Sequence, residues 1–334
     1  NGPFVISGWD GNSETWKLKK NNHYWDKEHV KLNEIDVQVV KEIGTGANLF
    51  DNGDLDYTVL ADTYALQYKE SKQAHFVPKA MVGYLSPNHR REITGTEHVR
   101  KAFLQAIDKE TFAKEILGDG STALNGFVPA NFAKNPDTGE DFRKENGDLL
   151  PYNIKEAQAN WNKAKEELGK DKIELELISA DSAIAKKTIE FVQGQLQQNL
   201  PGLTIKLKSL PLQNRLDLQT AGNYDLAFGT WTPDYADPIN FLEFYDSKSG
   251  LNTSGYNDSA YDAGLQKVRK DYANEPEKRW NELLSLEKTL IEKDAGVLPL
   301  FQGAIGYLKS DRLQGLQVFS FGRTVSYRLA YVEE

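Results

Sequence analysis

Alternating apolar and polar positions dominate the first part of the chain. The segments FVISGW, TWKLKKN and LNEIDVQVV alternate in this way and predict β-strands within residues 1–40. A short helix over residues 42–52 follows, then a strand in DLDYTVL, a helix in ADTYALQYKES, and two strands in AHFVPK and MVGYLSPN. Short strands that alternate with short helices are typical of layered α/β structure.

Helical periodicity begins at Thr96, which is a residue type that caps helices. The pattern of TEHVRKAFLQAIDKETFAKEILG breaks near Asp108, so one long helix and two consecutive helices fit it equally well. Residues 119–152 predict a long loop, and loops of this length are usually functional or mobile.

The pattern from residue 154 to residue 231 repeats a helix and a strand three times. Helices in NIKEAQANWNKAKEELG, SAIAKKTIEFVQGQLQQNLPG and QNRLDLQTAG precede strands in KIELELISA, LTIKLKSLP and YDLAFGTW, respectively. Such a run favours a parallel or mixed open sheet. Ligands of open α/β sheets bind outside the carboxyl ends of the strands. The segment after Trp231 therefore lies where this fold would present a ligand.

The C-terminal part of the chain continues the mixed pattern. Residues 259–292 predict two helices, GVLPLFQ and IGYLKS predict two strands, and the tail from Leu313 is β-rich and irregular. The predicted fold class is therefore α/β.

Composition and charge limit the class of protein. The chain has 334 residues, enough for two domains, and its 39% hydrophobic and 27% charged residues argue against a disordered chain. No apolar run is long enough to predict a transmembrane helix. The formal net charge is −9 and no basic stripe is present, which argues against binding to nucleic acid or to anionic membranes.

Motifs for metals and cofactors are missing from the sequence. The lack of cysteine excludes disulfides, thiol catalysis and thiolate metal sites. The five histidines are scattered without a metal-binding spacing. The run from Asp10 to Glu14 lacks the Gly and the distal Glu of a calcium loop at the required offsets. GTGANL lacks the Lys and Ser/Thr of a phosphate loop. We therefore expect no metal and no cofactor.

The segment GTWTPDYADPINFLEFY, residues 229–245, concentrates aromatic residues and two Asp where the last of these strands ends. A carboxylate beside an apolar wall pairs strongly with an ammonium group, because the low local dielectric magnifies their attraction. Asp234 and Trp231 would thus suit a zwitterionic ligand such as a peptide. Asp234 and Asp237 would alternatively be the acid and base of a glycoside hydrolase. In a third interpretation, Trp231 is a core residue and Asp234 caps the helix in INFLEFY.

Five collinear parts of the chain resemble oligopeptide-binding proteins, the extracytoplasmic receptors of ATP-binding-cassette peptide importers. They are NGPFVISGW with LKKNNHYWD, NGDLDYTVL, VRKAFLQAIDKETFAKEILG, GNYDLAFGTWTPDYADPINFL and GYNDSAYDAGL. The resemblance covers the whole chain. It implies a monomeric receptor that captures an oligopeptide, passes it to the membrane permease subunits of the importer, and makes or breaks no bond.

The resemblance also implies a set of ligand-binding residues. Asp234 would pair with the α-ammonium group of the peptide, Trp231 and Thr230 would line the first pockets, and Gly229 would let the peptide backbone approach closely. The other implied ligand contacts are Tyr235, Gln219, Tyr84, Phe301, and Ser179 and Asp181 on a loop after a strand. For Tyr84 and Phe301 a position in the core is also open. Gln219 stands where some relatives have a basic residue, which argues against a clamp for the carboxyl end of a ligand of fixed length.

The architecture implied by the resemblance is α/β, the two-lobed fold of class II periplasmic-binding proteins, with mixed sheets flanked by helices. Residues 1–91 would belong to the first lobe, residues 92–303 would form the second, and residues 304–334 would return to the first. Two crossovers would form a hinge that closes around the ligand.

The resemblance also implies an extracytoplasmic location. The version Asp-Tyr-Ala-Asp-Pro is similar to that of Gram-positive members, which are cell-surface lipoproteins; a Gram-negative member would be periplasmic. Members of the family are longer at the N-terminal side. We therefore expect the lipid-anchor Cys and part of the first lobe to lie outside this sequence.

We expect this chain alone to bind peptides weakly, because one wall of the cleft would be missing. Isothermal titration against a mixed pool of peptides measures the affinity. A submicromolar dissociation constant would contradict the expectation.

Overall fold

The computed structural model describes residues 1–333, which divide into two compact units. Unit 1 comprises residues 1–79, 118–120 and the chain from Ala304 onward, and unit 2 comprises residues 80–117 and 121–303. Residues 80–91, assigned from the sequence to the first lobe, pack within unit 2. The assignment of lobes stays a prediction.

Strands and helices alternate along most of the chain. The strands are β1 (Phe4–Ser7), β2 (Thr15–Lys20), β3 (Glu34–Gln38), β4 (Tyr57–Leu60), β5 (Ala74–Pro87), β6 (Thr122–Ala123), β7 (Ile173–Ala180), β8 (Leu203–Leu210), β9 (Leu226–Trp231), β10 (Leu298–Lys309), β11 (Leu313–Gln314), β12 (Gln317–Val318), β13 (Val325–Ser326) and β14 (Tyr331–Val332). The α-helices are α1 (Ile43–Asp51), α2 (Asp62–Gln67), α3 (Glu92–Gly95), α4 (Glu97–Ala106), α5 (Lys109–Thr111), α6 (Phe142–Asn146), α7 (Ile154–Leu168), α8 (Ala183–Asn199), α9 (Leu212–Thr220), α10 (Ile239–Leu242), α11 (Ser259–Gln266) and α12 (Pro276–Lys288). Turns of π-helix follow α5, α11 and α12 directly.

Unit 1 contains an antiparallel sheet in the order β1-β2-β3 and a pairing of β4 with the end of β10. Side chains of β2 alternate between exposed and half-buried, because successive residues of a strand point to opposite faces. In the described chain, β3 and β4 are each paired along one edge, and residues of both strands line a cavity of about 570 Å³. A small apolar cluster that includes Phe50, Leu60 and Leu308 forms the core of this unit.

Unit 2 is built on a mixed sheet in which the neighbours follow the order β10-β5-β9-β7-β8. Strand β7 is parallel to both β8 and β9, and β5 is antiparallel to β9. The predicted mixed open sheet is therefore confirmed. Helices cover the sheet with apolar faces. Their buried side chains, among them Phe103, Trp161 and Leu196, form one large core with the sheet.

Two strands are longer than the sequence predicts. The segments AHFVPK and MVGYLSPN form the single strand β5, and GVLPLFQ and IGYLKS form the single strand β10. Pro78 is tolerated in β5 because β9 pairs only with Val82–Pro87, which leaves that edge of β5 free at Pro78. Gly303 does not end β10 either. It allows close packing, since a Cβ at Gly303 would lie 2.5 Å from the Met81 methyl group.

The helical pattern from Thr96 forms two consecutive helices. Helix α4 ends at Ala106, and Asp108 begins the next helix as its N-cap. The Asp108 carboxylate accepts hydrogen bonds from the Thr111 backbone N–H at 3.1 Å and from the Thr111 hydroxyl at 2.9 Å. These bonds satisfy a helix N-terminus and explain the break in the periodicity.

The long segment over residues 119–152 is tied to α12 by one buried carboxylate. Glu287 is fully buried and accepts hydrogen bonds from the backbone N–H groups of Phe127 and Val128 at 2.7 and 2.8 Å. It also accepts from Arg143 Nη1 at 2.7 Å and from Asn146 Nδ2 at 2.6 Å. Because each donor comes from this segment, Glu287 fixes its path against the core.

We expect Glu287→Gln to lower the free energy of unfolding by about 3–5 kcal/mol, because the variant leaves the buried guanidinium of Arg143 without its counter-charge. Urea denaturation measures this loss. Glu282→Gln on the same helix is the matched control. Glu282 is partly exposed and lies 3.7 Å from Lys267 Nζ, so its replacement should cost about 1 kcal/mol or less. Equal losses in the two variants would contradict this role of Glu287.

Candidate ligand-binding site

The candidate site begins where β9 separates from β7. The two parallel strands pair only at Leu177 with Leu226 and at Ile178 with Ala227. On its other side, β9 stays paired with β5 as far as Trp231. The last residues of β9 therefore have an edge that β7 does not cover, at the carboxyl end of parallel strands, which is where open α/β sheets bind ligands.

Asn240 positions the loop that follows β9. Its side chain is buried, and its carbonyl oxygen Oδ1 accepts hydrogen bonds from Trp231 Nε1 and from the Asp234 backbone N–H, both at 3.3 Å. One buried acceptor thus joins the end of the strand to the middle of the loop. The Asp234 side chain itself is exposed.

An aromatic wall lies beside the half-buried indole of Trp231. Trp231 contacts Phe244 edge to face with ring centroids 5.1 Å apart, and Phe244 contacts Tyr84 at 6.3 Å. Tyr84 packs in turn against Phe127 at 5.3 Å. Burial raises the pKa of the Tyr84 phenol to about 12, so this side chain stays neutral at physiological pH. The wall is therefore apolar and uncharged.

The second acid of the loop, Asp237, has a structural role. Its carboxylate forms an ion pair with Arg279 at 2.8 Å and accepts a hydrogen bond from the Ile239 backbone N–H at 3.0 Å. The interpretation in which Asp234 caps this helix is therefore wrong, because Asp237 makes that bond. Of the two carboxylates in this loop, that of Asp234 is the one exposed to solvent.

The absence of a side chain at Gly229 allows the guanidinium of Arg215 to lie close to β9. A Cβ at Gly229 would lie 3.0 Å from Arg215 Nη1 and 3.4 Å from the Tyr84 hydroxyl oxygen. Tyr84 is opposite Gly229 in the β5–β9 register, so the two share one face of the sheet. Arg215 donates from Nη1 to the Phe228 carbonyl at 2.9 Å. The glycine thus leaves room for a guanidinium against the backbone of β9.

A comparison with known families decides the classification. The model of the bacterial extracellular solute-binding proteins, family 5, middle part, matches residues 1–253. This chain belongs to family 5 of the bacterial extracellular solute-binding proteins.

Individual relatives agree with this classification. A dipeptide-binding protein of Lactococcus lactis is 30% identical, and the match covers 100% of this chain and 63% of the relative. The dipeptide-binding protein DppE of Bacillus subtilis is 28% identical, with 95% of this chain and 57% of the relative covered. The family 5 chain described here thus spans about three fifths of the length of these curated relatives.

A solved structure of Listeria monocytogenes OppA bound to peptide has a TM-score of 0.81 and 38% identity. The match covers 100% of this chain and 65% of that one. The pheromone receptor PrgZ matches with a TM-score of 0.81 and 36% identity, again over 100% of this chain and 65% of that one. The predicted periplasmic-binding-protein-like α/β fold is confirmed.

The structure brings only some of the predicted site residues of this family 5 protein together. Gly229, Thr230 and Trp231 end β9, Tyr84 lies opposite Gly229, and Asn240 holds Asp234 beside Trp231. Thr230 is exposed. Tyr235 is also exposed and donates from its hydroxyl to Glu243; partial burial and this carboxylate raise the pKa of Tyr235 to about 12.

Ser179, Phe301 and Gln219 lie elsewhere or deeper than expected, whereas Asp181 lies on a bend, as predicted. Ser179 is not on a loop but within β7, where it is fully buried and donates to the Ala180 carbonyl at 2.9 Å; Asp181 follows on an exposed bend. Phe301 is fully buried and packs on Phe112 and Phe228, which favours a role in the core. Gln219 is buried on α9.

Two residues of the site do not emerge from the sequence pattern. Asn240 looks like an ordinary member of a helix in INFLEFY. Arg215 precedes Gln219 by one helical turn, and these two polar residues are the buried positions of α9. Residues four apart share a helix face. The polar residues at 215 and 219 could therefore have indicated that α9 directs a polar face at the sheet.

No group of three or more His, Cys, Asp or Glu side chains arranged to hold a metal ion occurs within residues 1–333. The helices in that part of the chain also include none long and apolar enough to cross a membrane. The candidate site consists of an exposed carboxylate, an aromatic wall and a buried guanidinium, a combination that suits a ligand with charged and apolar groups.

We expect Asn240→Ala to loosen the loop after β9, because Trp231 Nε1 and the Asp234 N–H lose their shared acceptor. The amide hydrogen of Asp234 should exchange faster, and the free energy of unfolding should fall by about 1–3 kcal/mol. Hydrogen exchange with mass spectrometry measures the first effect. Thr232→Ala, at an exposed position of the same loop, is the control and should change neither quantity. Unchanged exchange at Asp234 in Asn240→Ala would refute the role of Asn240.

Proposed function

We propose that this protein is the substrate-binding component of an ATP-binding-cassette importer that captures oligopeptides outside the cell. The observation that carries the proposal is the exposed carboxylate of Asp234, which Asn240 holds at the end of β9 beside the indole of Trp231. The names of the relatives support it, since they include dipeptide-binding proteins and an OppA structure bound to peptide.

The chemistry of the site suits the amino end of a peptide. The Asp234 carboxylate pairs with the α-ammonium group, and the adjoining apolar wall of Trp231, Phe244 and Tyr84 lowers the local dielectric and strengthens that pair. The half-buried rings of Trp231 and Phe244 offer contact area to apolar groups of the ligand without selecting one side chain, whereas Tyr84 supports them from the core. Broad selectivity for peptide sequence follows from this division of roles.

A glycoside hydrolase is the alternative from another class. It would need a second carboxylate at the reacting bond. Asp237, the nearest candidate along the chain, is bound to Arg279 and to the Ile239 N–H, so the structure favours the receptor. A peptide pheromone belongs to the proposed ligand class, and the pheromone receptor PrgZ is among the similar structures. A binding protein of this kind could also take a dipeptide, nickel or a sugar. The names of the relatives given above include dipeptide-binding proteins but do not point to nickel or a sugar.

The remaining partners and the location follow from the proposed role. A receptor of this kind delivers its ligand to the membrane permease subunits of the importer and works as a monomer. We place it outside the cytoplasm, in agreement with the description of its family as extracellular. The sequence Asp-Tyr-Ala-Asp-Pro supports a cell-surface lipoprotein of a Gram-positive bacterium.

We expect Asp234→Asn in the full-length protein to weaken the binding of peptides with a free amino end about tenfold or more, because the charged pair is lost. Binding of the N-acetylated peptide should be weak in both proteins and unchanged by the substitution. Raising the pH above about 8 deprotonates the peptide amino group and should weaken wild-type binding in the same way. Isothermal titration with a matched pair of free and acetylated peptides measures all three effects.

Asp237→Asn is the matched control, since it removes the neighbouring carboxylate. It should lower stability through the loss of the Arg279 pair, while the preference for a free amino end persists. Equal affinity of the wild-type protein for free and acetylated peptides would contradict the proposal. Turnover of a glycoside that Asp234→Asn abolishes, without loss of binding, would establish the hydrolase instead.

A further inference from the structure

Arg269 joins two acids that lie on either side of Phe244 in the sequence. Its Nη2 donates to Glu243 Oε2 at 3.1 Å, and its Nη1 donates to Asp246 Oδ2 at 2.6 Å. Glu243 begins a short helical turn that contains Phe244 and Tyr245, and Asp246 ends it. One guanidinium therefore binds both ends of the turn that presents Phe244 to the indole of the candidate site.

Glu243 extends this connection to the loop after β9. Its other carboxylate oxygen, Oε1, accepts a hydrogen bond from the hydroxyl of Tyr235, the residue that follows Asp234. Partial burial and this bond raise the pKa of Tyr235 to about 12, so the phenol keeps its proton and remains a donor at physiological pH. The contacts that start at Arg269 thus reach the residue next to the exposed carboxylate of Asp234.

The cluster is partly shielded from solvent. Asp246 is buried, and the side chains of Arg269 and Glu243 are each 30% exposed. Burial raises the pKa of Asp246, but the hydrogen bond from Arg269 and that from the Lys248 backbone N–H hold it below its usual value, so the carboxylate stays charged. Partly buried, charge-assisted bonds from a rigid guanidinium order their partners more strongly than an isolated surface ion pair does.

Arg269 comes from an irregular part of the chain. It lies in the π-helical turn Lys267–Asp271 that follows α11, and single turns of this kind are rare and often occur at functional sites. The Tyr261 hydroxyl on α11 independently donates to the Leu242 carbonyl on α10 at 2.8 Å. Because that bond does not involve Arg269, the packing of α11 against α10 has a second anchor.

We propose that Arg269 is a positioning residue for the site that binds the amino end of the peptide, and that it acts through Glu243 on Tyr235 and Phe244. The inference rests on the proposed peptide-binding function and deepens it, because it names a residue that controls selectivity for a free amino end without touching the ligand. The attraction between Asp234 and an ammonium group falls as their distance grows and as water enters. A loop that is no longer held against the aromatic wall therefore binds the ammonium group less tightly.

A purely structural role makes a different prediction. If Arg269 only stabilises the turn, its replacement lowers the free energy of unfolding and affects peptides with free and N-acetylated amino ends equally. If Arg269 positions the site, its replacement weakens the binding of the free peptide more than that of the acetylated one. The decisive quantity is the ratio of these two affinities in one protein, which is insensitive to a general loss of stability.

The experiment uses the full-length protein and alanine peptides of two to five residues, each with a free and with an acetylated amino end, in isothermal titration at neutral pH. We expect the wild-type protein to bind the free peptide about tenfold or more tightly than the acetylated one at the preferred length. Arg269→Gln should lower this ratio by a factor of about 3–10. Lys267→Gln is the matched control. It removes the same charge from the same turn, at a more exposed side chain that lies 3.7 Å from Glu282, and should leave the ratio unchanged.

Tyr235→Phe tests the other end of the same contacts. It removes only the hydroxyl at an exposed position, so it should lower the ratio in the same direction as Arg269→Gln without preventing folding. In the Tyr235→Phe background, Arg269→Gln should lower the ratio less than it does in the wild type, because residues that act through one another are not additive. Arg269→Lys keeps the charge but cannot reach both acids with a rigid fork, so it should lower the ratio less than Arg269→Gln.

Several results would overturn the inference. An unchanged ratio in Arg269→Gln does so while the proposed function stands, provided that the wild-type protein prefers the free amino end. Equal affinity of the wild-type protein for free and acetylated peptides overturns both proposals. Full additivity of Arg269→Gln and Tyr235→Phe refutes the path through Glu243. If Arg269→Gln does not fold, as judged by circular dichroism, Tyr235→Phe decides, and an unchanged ratio in that variant overturns the inference.

Discussion

The end of pairing between β7 and β9 is the constraint on which the candidate site depends. Parallel strands that stay paired bury their edges, whereas β9 leaves β7 after Ala227 and continues beside β5 alone. The uncovered edge needs other hydrogen-bond partners, and the Phe228 carbonyl receives one from Arg215. The same separation frees the chain beyond Trp231 to turn outward, so that Asn240 can hold Asp234 at the carboxyl end of the sheet.

The buried cations of unit 2 differ in how their charge is compensated. Arg143 forms an ion pair with Glu287 at 2.7 Å, and Glu287 accepts further hydrogen bonds from the long segment. Lys109 donates to Asn125 Oδ1 and the Leu124 carbonyl, and burial lowers its pKa to about 7, so this amine can lose its charge. Arg215 has neither remedy, since no acid of residues 1–333 interacts with it and a guanidinium does not deprotonate.

The two acids of the loop after β9 also differ in their roles. Asp237 is used by the fold, because it holds Arg279 and the start of α10. Asn240 accepts a hydrogen bond from the backbone N–H of Asp234, and the Asp234 carboxylate stays exposed. Membership of the solute-binding family 5 and the likeness to a peptide-bound OppA give this exposed acid a chemical context.

The sequence by itself determined the alternation of strands and helices, the open sheet and the loop that follows Trp231, because hydrophobic periodicity and Gly/Pro positions are local signals. The sequence pattern wrongly predicts two strands each for β5 and β10, because Pro and Gly usually interrupt strands. In the structure β9 does not pair with β5 at Pro78, and Gly303 packs closely against Met81. Ser179 and Phe301 were chosen for the site by position along the chain, whereas packing buried both. Only the tertiary structure decided that Asp237 pairs with Arg279, that Asn240 holds Asp234 and that Arg215 reaches Gly229, because each of these contacts depends on how separate elements pack and not on the residues beside it in sequence.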